Sequence, residues 1–365
     1  MAENKVKQIH DHKQSIWLDF IDRKIMNTGK LRQMIDEDGL RGVTSNPAIF
    51  EKAISSSSDY DADIKAKADT SLSNEELFFE LAIADIQQAA GLFDHVYNDD
   101  VVGADGYVSL EVSPALALDT EATIRQAKDL WQRVDRKNVM IKIPGTLPGL
   151  AAIREVIADG INVNVTLIFG LERYEAVVEA YLSGLEDRLA KGEPLSQIAS
   201  VASFFLSRID VLIDPQLEEK GLKDLKGEVA IASAKKAYEI YLRIFHSARW
   251  QKLADAGAKP QRLLWASTGS KDPSARDTKY MEALIGPDTV NTAPLETIDA
   301  FRDHGVVNDT LESGLNLADN TLNQLHHAGI DLQQVTAQLE EEAIEKFNQP
   351  FKKMLAAIAE KRASW

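Results

Sequence analysis

A chain of 365 residues exceeds the size at which one hydrophobic core usually stops growing, and barrels of alternating strands and helices are the recurrent exception. With 44% hydrophobic and 27% charged residues it reads as globular, no run approaches the ~18 apolar residues of a membrane span, and the start MAENKVKQIHDH lacks an apolar signal-peptide core, so a cytoplasmic protein with no membrane partner is expected. A net charge of −16 argues against nucleic acid as a partner, and the absence of cysteine removes disulfides, thiolate metal ligands and cysteine nucleophiles together.

In chain order, short β-like runs occur at 15–20, 40–45, 107–113, 139–143, 161–167, 199–203, 262–267 and 289–291. Amphipathic helical patterns lie between and after them, clearest at 74–97, 120–136, 171–189, 227–254 and 332–358. Repeated alternation of strand and helix implies parallel pairing, and a closed (β/α)8 TIM barrel is the natural solution. Two stretches exceed the minimal unit. One, 47–105, is mostly helical and contains the serine run 55–58; the other follows Gly305, with Asp331 suited to an N-cap and Pro350 to a break or kink. Both read as extra helices, one set inserted after the second strand and one at the C-terminus. No Gly, Pro or Ser tract is long enough for an interdomain linker, so residues 1–365 are expected to form one domain.

Parallel strands buried on both faces are normally apolar throughout. Four strands here alternate instead. Trp17 and Asp19 oppose Ile16, Leu18 and Phe20; Tyr107, Ser109, Glu111 and Ser113 oppose Val108, Leu110 and Val112. Met140 and Lys142 oppose Val139, Ile141 and Ile143, and Asn162, Asn164 and Thr166 oppose four aliphatics. Period-two alternation puts each set on one face of the sheet, and the aliphatic face must meet the helices. The polar face therefore lines the barrel interior, where Asp19, Glu111, Lys142, Asn164 and Thr166 converge near the C-terminal ends of their strands. Barrel enzymes place their chemistry there.

A lone Asp, Asn or Thr at a strand end is commonly a cap or turn former. Lys142 differs, because lysine is almost never fully buried without a partner. It either pairs structurally with an interior carboxylate or has its pKa lowered for nucleophilic work, and two carboxylates on the same inner face favour the second. A desolvated amine attacks a ketone to give a Schiff base, an electron sink for carbon–carbon cleavage. The accompanying proton transfers need acid–base groups within reach, which Glu111 and Asp19 supply. Thr166 suits a relay water, and Asn164 and Asn46 suit the donor's hydroxyls. For phosphate, Arg208 is the first candidate, where a strand gives way to a helix whose first amides also favour anions, and Lys271 in a turn-rich segment is the second. The seven histidines include two close pairs, His10 with His12 and His326 with His327, and no strong ligand spacing, so no metal and no other cofactor is expected.

The stretches Trp17-Leu-Asp19, Gly42-Val-Thr44-Ser-Asn46-Pro47, Ser109-Leu-Glu111-Val-Ser-Pro114, Met140-Ile-Lys142-Ile-Pro144 and Ile161-Asn-Val-Asn164-Val-Thr166-Leu-Ile-Phe169 resemble the transaldolase family. The likeness continues in order through Ser203-Phe-Phe205-Leu-Ser-Arg208, Trp265-Ala-Ser267-Thr and Asn291-Thr-Ala-Pro294, and so covers most of the chain. It implies a transferase without cofactor that moves a dihydroxyacetone unit in the pentose phosphate pathway. The donor would be sedoheptulose 7-phosphate or fructose 6-phosphate, and the acceptor glyceraldehyde 3-phosphate or erythrose 4-phosphate. The resemblance places the Schiff base on Lys142, acid–base work on Asp19, Glu111 and Thr166, and donor positioning on Asn46 and Asn164. Ser203, Phe205 and Arg208 fall at the phosphate end, and Thr44 and Ser267 lie within the matched motifs as further substrate-binding positions. Shorter members carry an arginine soon after the Ala-Ser of the seventh strand; here Thr268-Gly-Ser-Lys271 follows, with Lys271 as the substitute. The insertions resemble longer bacterial members, some of them fused to a glucose-6-phosphate isomerase. Fructose-6-phosphate aldolases, which release free dihydroxyacetone, are similar in the lysine strand, yet are far shorter and carry glutamine and tyrosine where Glu111 and Phe205 stand. A silent barrel that binds sugar phosphates is the alternative from another class. Monomer and homodimer both stay open.

Overall fold

The computed structural model describes residues 4–99 and 105–364; positions 100–104, the end of the first insertion, lie outside the described residues. The eight strands are β1 (Gln14–Asp19), β2 (Gly42–Thr44), β3 (Tyr107–Glu111), β4 (Val139–Pro144), β5 (Val163–Ile168), β6 (Ser200–Phe205), β7 (Arg262–Ala266) and β8 (Thr289–Ala293). They close into a barrel in sequence order, each pair parallel, with β8 returning to β1. The expected (β/α)8 architecture is the one found.

β2 is shorter than its apolar run. At its first residue the barrel interior is filled by Trp17, and a Cβ on Gly42 would lie 2.5 Å from the indole. Only glycine lets the strand pass so close to a fully buried tryptophan. The helical pattern at 227–254 is two helices, Val229–Phe245 and Ala248–Asp255. Ser247 divides them, in extended conformation with its side chain accepting from the Trp250 amide, so a capping hydroxyl overrides a continuous periodicity.

Both expected decorations are helical. After β2 come Pro47–Ser56, Asp61–Ala66, Asn74–Leu92 and Asp94–Tyr97; after Gly305 come Leu315–His327 and Leu332–Ala363. Asp331 caps the last of these through the Gln333 and Gln334 amides. Pro350 does not end it, contrary to one expectation, and the helix runs on for thirteen residues. One face of this C-terminal helix is buried through Val335, Leu339, Ala343, Phe347, Phe351, Met354 and Ile358, a spacing of three to four residues. Its start is tied to the barrel by the Arg173–Glu340 pair, with contacts of 2.9 and 3.2 Å, and its end to the first insertion by Lys361 on Asp61 and Arg362 on three backbone carbonyls. The two decorations thus pack together, and the helix between its anchors passes over the C-terminal mouth. Among the described residues no helix is long and apolar enough to cross a membrane.

Candidate active site

Strand register sets the site. Glu111, Lys142 and Asn164 are neighbours across β3, β4 and β5, so three polar side chains stand in one row facing inward. Ile141 and Ile143, on the opposite face of β4, are fully buried. Lys142 is 4% exposed, and its Nζ donates to the Ser45 carbonyl at 3.0 Å. It also lies 3.2 Å from Glu111 Oε2, a close charge contact outside hydrogen-bonding alignment. Asn164 is committed within the protein: its amide donates to Ser109 Oγ at 3.0 Å and its carbonyl accepts from Ser203 at 2.7 Å. A second chain of hydroxyls supports Asp19, which accepts from Thr44 at 2.7 Å while Thr44 meets Thr292 at 2.7 Å.

Lys142, Asp19, Thr44 and Thr292 border a cavity of about 90 Å³ at the C-terminal mouth. Its walls include Asp19, Thr44, Asn46, Lys142, Thr166, Ser203, Phe205, Arg208 and Ser267, nine of the twelve candidates read from the sequence. Asn46 caps the helix Pro47–Ser56 through its side-chain oxygen. The Thr166 hydroxyl is buried without a hydrogen-bond partner in the protein, next to an irregularity in the β5–β6 register between Val165 and Ile168. Leu167 and Ser267, both beside the cavity walls, hold left-handed backbone (φ 60° and 56°), unusual for residues with a Cβ and most frequent near functional sites.

The phosphate-type end is built around Arg208 in the first turn of the helix Ser207–Glu219. Its guanidinium lies 5.4 Å from the Phe205 ring centre and 5.6 Å from that of Phe347, within cation–π range of both. One terminal nitrogen is buried without a partner, and burial lowers its pKa. A buried cation with an idle donor beside a helix N-terminus is well arranged for an oxyanion.

Three candidates stand elsewhere. Glu111 and Asn164 lie behind the cavity wall and reach it through Lys142 and Ser203. Lys271 is exposed and lines a separate cleft with Asp210, Asp214 and Lys279. Three wall residues stood outside the candidates, the first of them Ala266 beside Ser267. Thr292 carries an ordinary strand-end signal, and Phe347 comes from the C-terminal helix, its ring centre 5.8 Å from Lys142 Nζ.

Burial pushes the carboxyl of Asp19 up, with Lys142 and the Thr44 hydroxyl acting against it. Glu111 is likewise pushed up by burial, and Lys142 opposes that shift. Both therefore hold a proton more tightly folded than unfolded. The stability this contributes is complete below the unfolded carboxylate range and is lost as pH rises through the raised folded values. Thermal unfolding from about pH 4 to about pH 8 should show Asp19→Asn gaining on the wild type with rising pH. A constant difference across that range would contradict the raised Asp19 carboxyl.

Fold and cavity together are those of a barrel enzyme, with a polar cavity at the C-terminal mouth, where such enzymes place their chemistry. A family model described as transaldolase/fructose-6-phosphate aldolase matches residues 16–358. The chain is 47% identical over 375 aligned residues to a protein named transaldolase 2 from Nostoc punctiforme, covering 99% of this chain and 98% of that one. It is 49% identical to a transaldolase of Arthrobacter sp., with 96% of each chain covered, and 47% identical to one of Saccharopolyspora erythraea, with 98% of each covered. The chain belongs to the transaldolase/fructose-6-phosphate aldolase family.

Proposed function

We propose that the chain is a single-domain transaldolase that transfers a dihydroxyacetone unit between sugar phosphates through a Schiff base on Lys142. The observation that carries this reading is a buried lysine amine at a small cavity whose walls also hold Asp19 and an idle Arg208 nitrogen, with Glu111 3.2 Å from the amine. The amine adds to the C2 carbonyl of the ketose phosphate, and the carbinolamine loses water to give an iminium. Glu111, off the cavity wall but beside Lys142, exchanges those protons through a water that the unpartnered Thr166 hydroxyl can hold. Asp19, on the wall, takes the proton of the C4 hydroxyl. The C3–C4 bond breaks, its electrons flow into the iminium, and an aldose phosphate leaves an enamine behind. The enamine attacks the acceptor's aldehyde carbon, Asp19 returns the proton to the new hydroxyl, and water hydrolyses the iminium to release product and free lysine. Asn46 and Thr44 are suited to the donor's hydroxyls and Arg208 to the phosphate, with Ser203, Phe205 and Ser267 lining that end.

Lysine chemistry of this kind also serves an aldolase, which releases dihydroxyacetone to water. Phe205 favours transfer, because a phenyl ring has no hydroxyl with which to position a water against the enamine. Rapid transfer from fructose 6-phosphate to erythrose 4-phosphate is expected, with little free dihydroxyacetone when the acceptor is omitted. Phe205→Tyr should raise release relative to transfer in a coupled assay for dihydroxyacetone. Release by the wild type as fast as transfer would replace this reading with the aldolase one.

A further inference from the structure

The opposite mouth of the barrel holds a second concentration of positive charge. A cavity of about 450 Å³ opens at the N-terminal ends of the strands, floored by the buried side chains of Trp17, Tyr107 and Met140. That volume lies within the range of small-molecule sites. Its walls carry Arg41, Arg262, Lys259 and Lys13 against Asp105 and Asp288, which leaves the lining two charges positive in a chain whose net charge is −16. Asp105 is fully committed: it accepts from Ser15, from the Trp17 indole at 2.9 Å and from Arg262 at 3.5 Å.

Arg41 and Lys259 have no hydrogen bond or ion pair from their side chains among the described residues, although both are half-buried. Elsewhere the chain's cations are widely paired with carboxylates, as at Arg249, Arg154 and Arg302. Burial lowers the pKa of Lys259. Burial also lowers that of Arg41, where the charge of Arg262 adds to the lowering; Asp105, and more weakly Asp99, act against it. Burial and then the charge of Arg41 push the neighbouring His10 imidazole down. The like charges of Arg41 and Arg262, near each other in a desolvated setting, cost stability, and that cost is relieved when an anion arrives. The loop bearing Lys259 is fixed in place by its own carbonyl, which accepts from the Tyr181 hydroxyl at 2.7 Å, so the ammonium is presented by a tethered backbone.

We propose that this N-terminal mouth is an anion-binding site that takes a small phosphomonoester between Arg41, Lys259 and Arg262. A phosphomonoester carries about −1.5 to −2 charges near pH 7, which matches the excess of two on the walls. Its oxygens suit the fork of a guanidinium that has no other partner. The cavity exceeds what phosphate alone would fill, leaving room over the aromatic floor for an organic residue. The site lies at the opposite end of the barrel from Lys142 and does not depend on the chemistry assigned there.

The test is calorimetric titration with inorganic phosphate, at constant ionic strength set with chloride, of the wild type and of Arg208→Gln, Arg41→Gln and Lys259→Gln. Arg208→Gln weakens any phosphate binding at the catalytic mouth and should leave a phosphate site intact. Arg41→Gln and Lys259→Gln should each weaken that site about tenfold or more, the loss expected for one charge-assisted contact. Without phosphate, both variants should melt at or above the wild-type temperature, since each removes an unpartnered half-buried charge. The proposal is overturned if Arg208→Gln abolishes phosphate binding altogether, or if binding is unchanged in both Arg41→Gln and Lys259→Gln. It is also overturned if both of these variants melt well below the wild type, which would make the two cations part of the scaffold.

Discussion

Borohydride added with fructose 6-phosphate is expected to fix a reduced dihydroxyacetone adduct on one peptide, that containing Lys142. Lys142→Ala should lose both the adduct and turnover, by about 10⁴-fold or more, because no other group can replace the covalent step. The expectation rests on geometry. Lys142 Nζ lies at the cavity, held by the Ser45 carbonyl and close to Glu111. Intact-mass and peptide-mass measurement check it. An adduct on another lysine, or none in the wild type, would remove the mechanism, whereas slowed labelling together with lost turnover in Glu111→Gln would place its defect in the proton transfers that form the iminium.

Arg208→Ala should raise the KM for a ketose phosphate about tenfold to a hundredfold. One charge-assisted hydrogen bond to an oxyanion contributes roughly 1.5–3 kcal/mol, and here the guanidinium has an idle nitrogen with which to make it. The comparison that decides the matter uses an unphosphorylated ketose. Wild type and variant should handle it equally poorly, because the interaction removed is with the phosphate. An equal loss on both substrates would make Arg208 a structural cation, held beside Phe205 and Phe347 for packing alone.

Much of this was legible in the primary structure because a barrel strand encodes its orientation in every second residue. The alternation around Trp17, Tyr107, Met140 and Asn162 assigned the inner face, and the register of β3, β4 and β5 then aligned Glu111 with Lys142 and Asn164. Arg208 was legible because a strand running into a helix marks where chain ends and helix amides meet. Alternation does not disclose which inward groups are already spent on each other. Asn164 faces in as expected, yet both ends of its amide are bonded to serines. Lys271 shows the limit in loops, where no periodicity fixes direction; it projects beside Asp210 and Asp214 instead of towards Lys142. Phe347 was hidden for the opposite reason. It sits in an apolar stripe at helical spacing with Ala343 and Phe351, and nothing in that pattern separates the member that meets the cavity beside Lys142 from those that fill the core.

The position of Phe347 has a kinetic consequence. A space of about 90 Å³ is far below the roughly 300 Å³ at which ligand pockets begin, so with the ring beside both Lys142 and Arg208 the cavity is too small to enclose a sugar phosphate. The helix that carries it is anchored at both ends and buried along one face, and its weakest point lies in its middle. Pro350 has no amide hydrogen to offer the carbonyl of Lys346, the residue just before Phe347, and the helical ladder is thinnest beside the aromatic plug. Substrate entry and product exit are expected to involve a local flexing of this helix, on the microsecond-to-millisecond scale of lid motions. Once the chemical steps are fast, throughput becomes a matter of friction, and thickening the solvent with an inert viscogen should slow turnover where a purely chemical limit would leave it untouched.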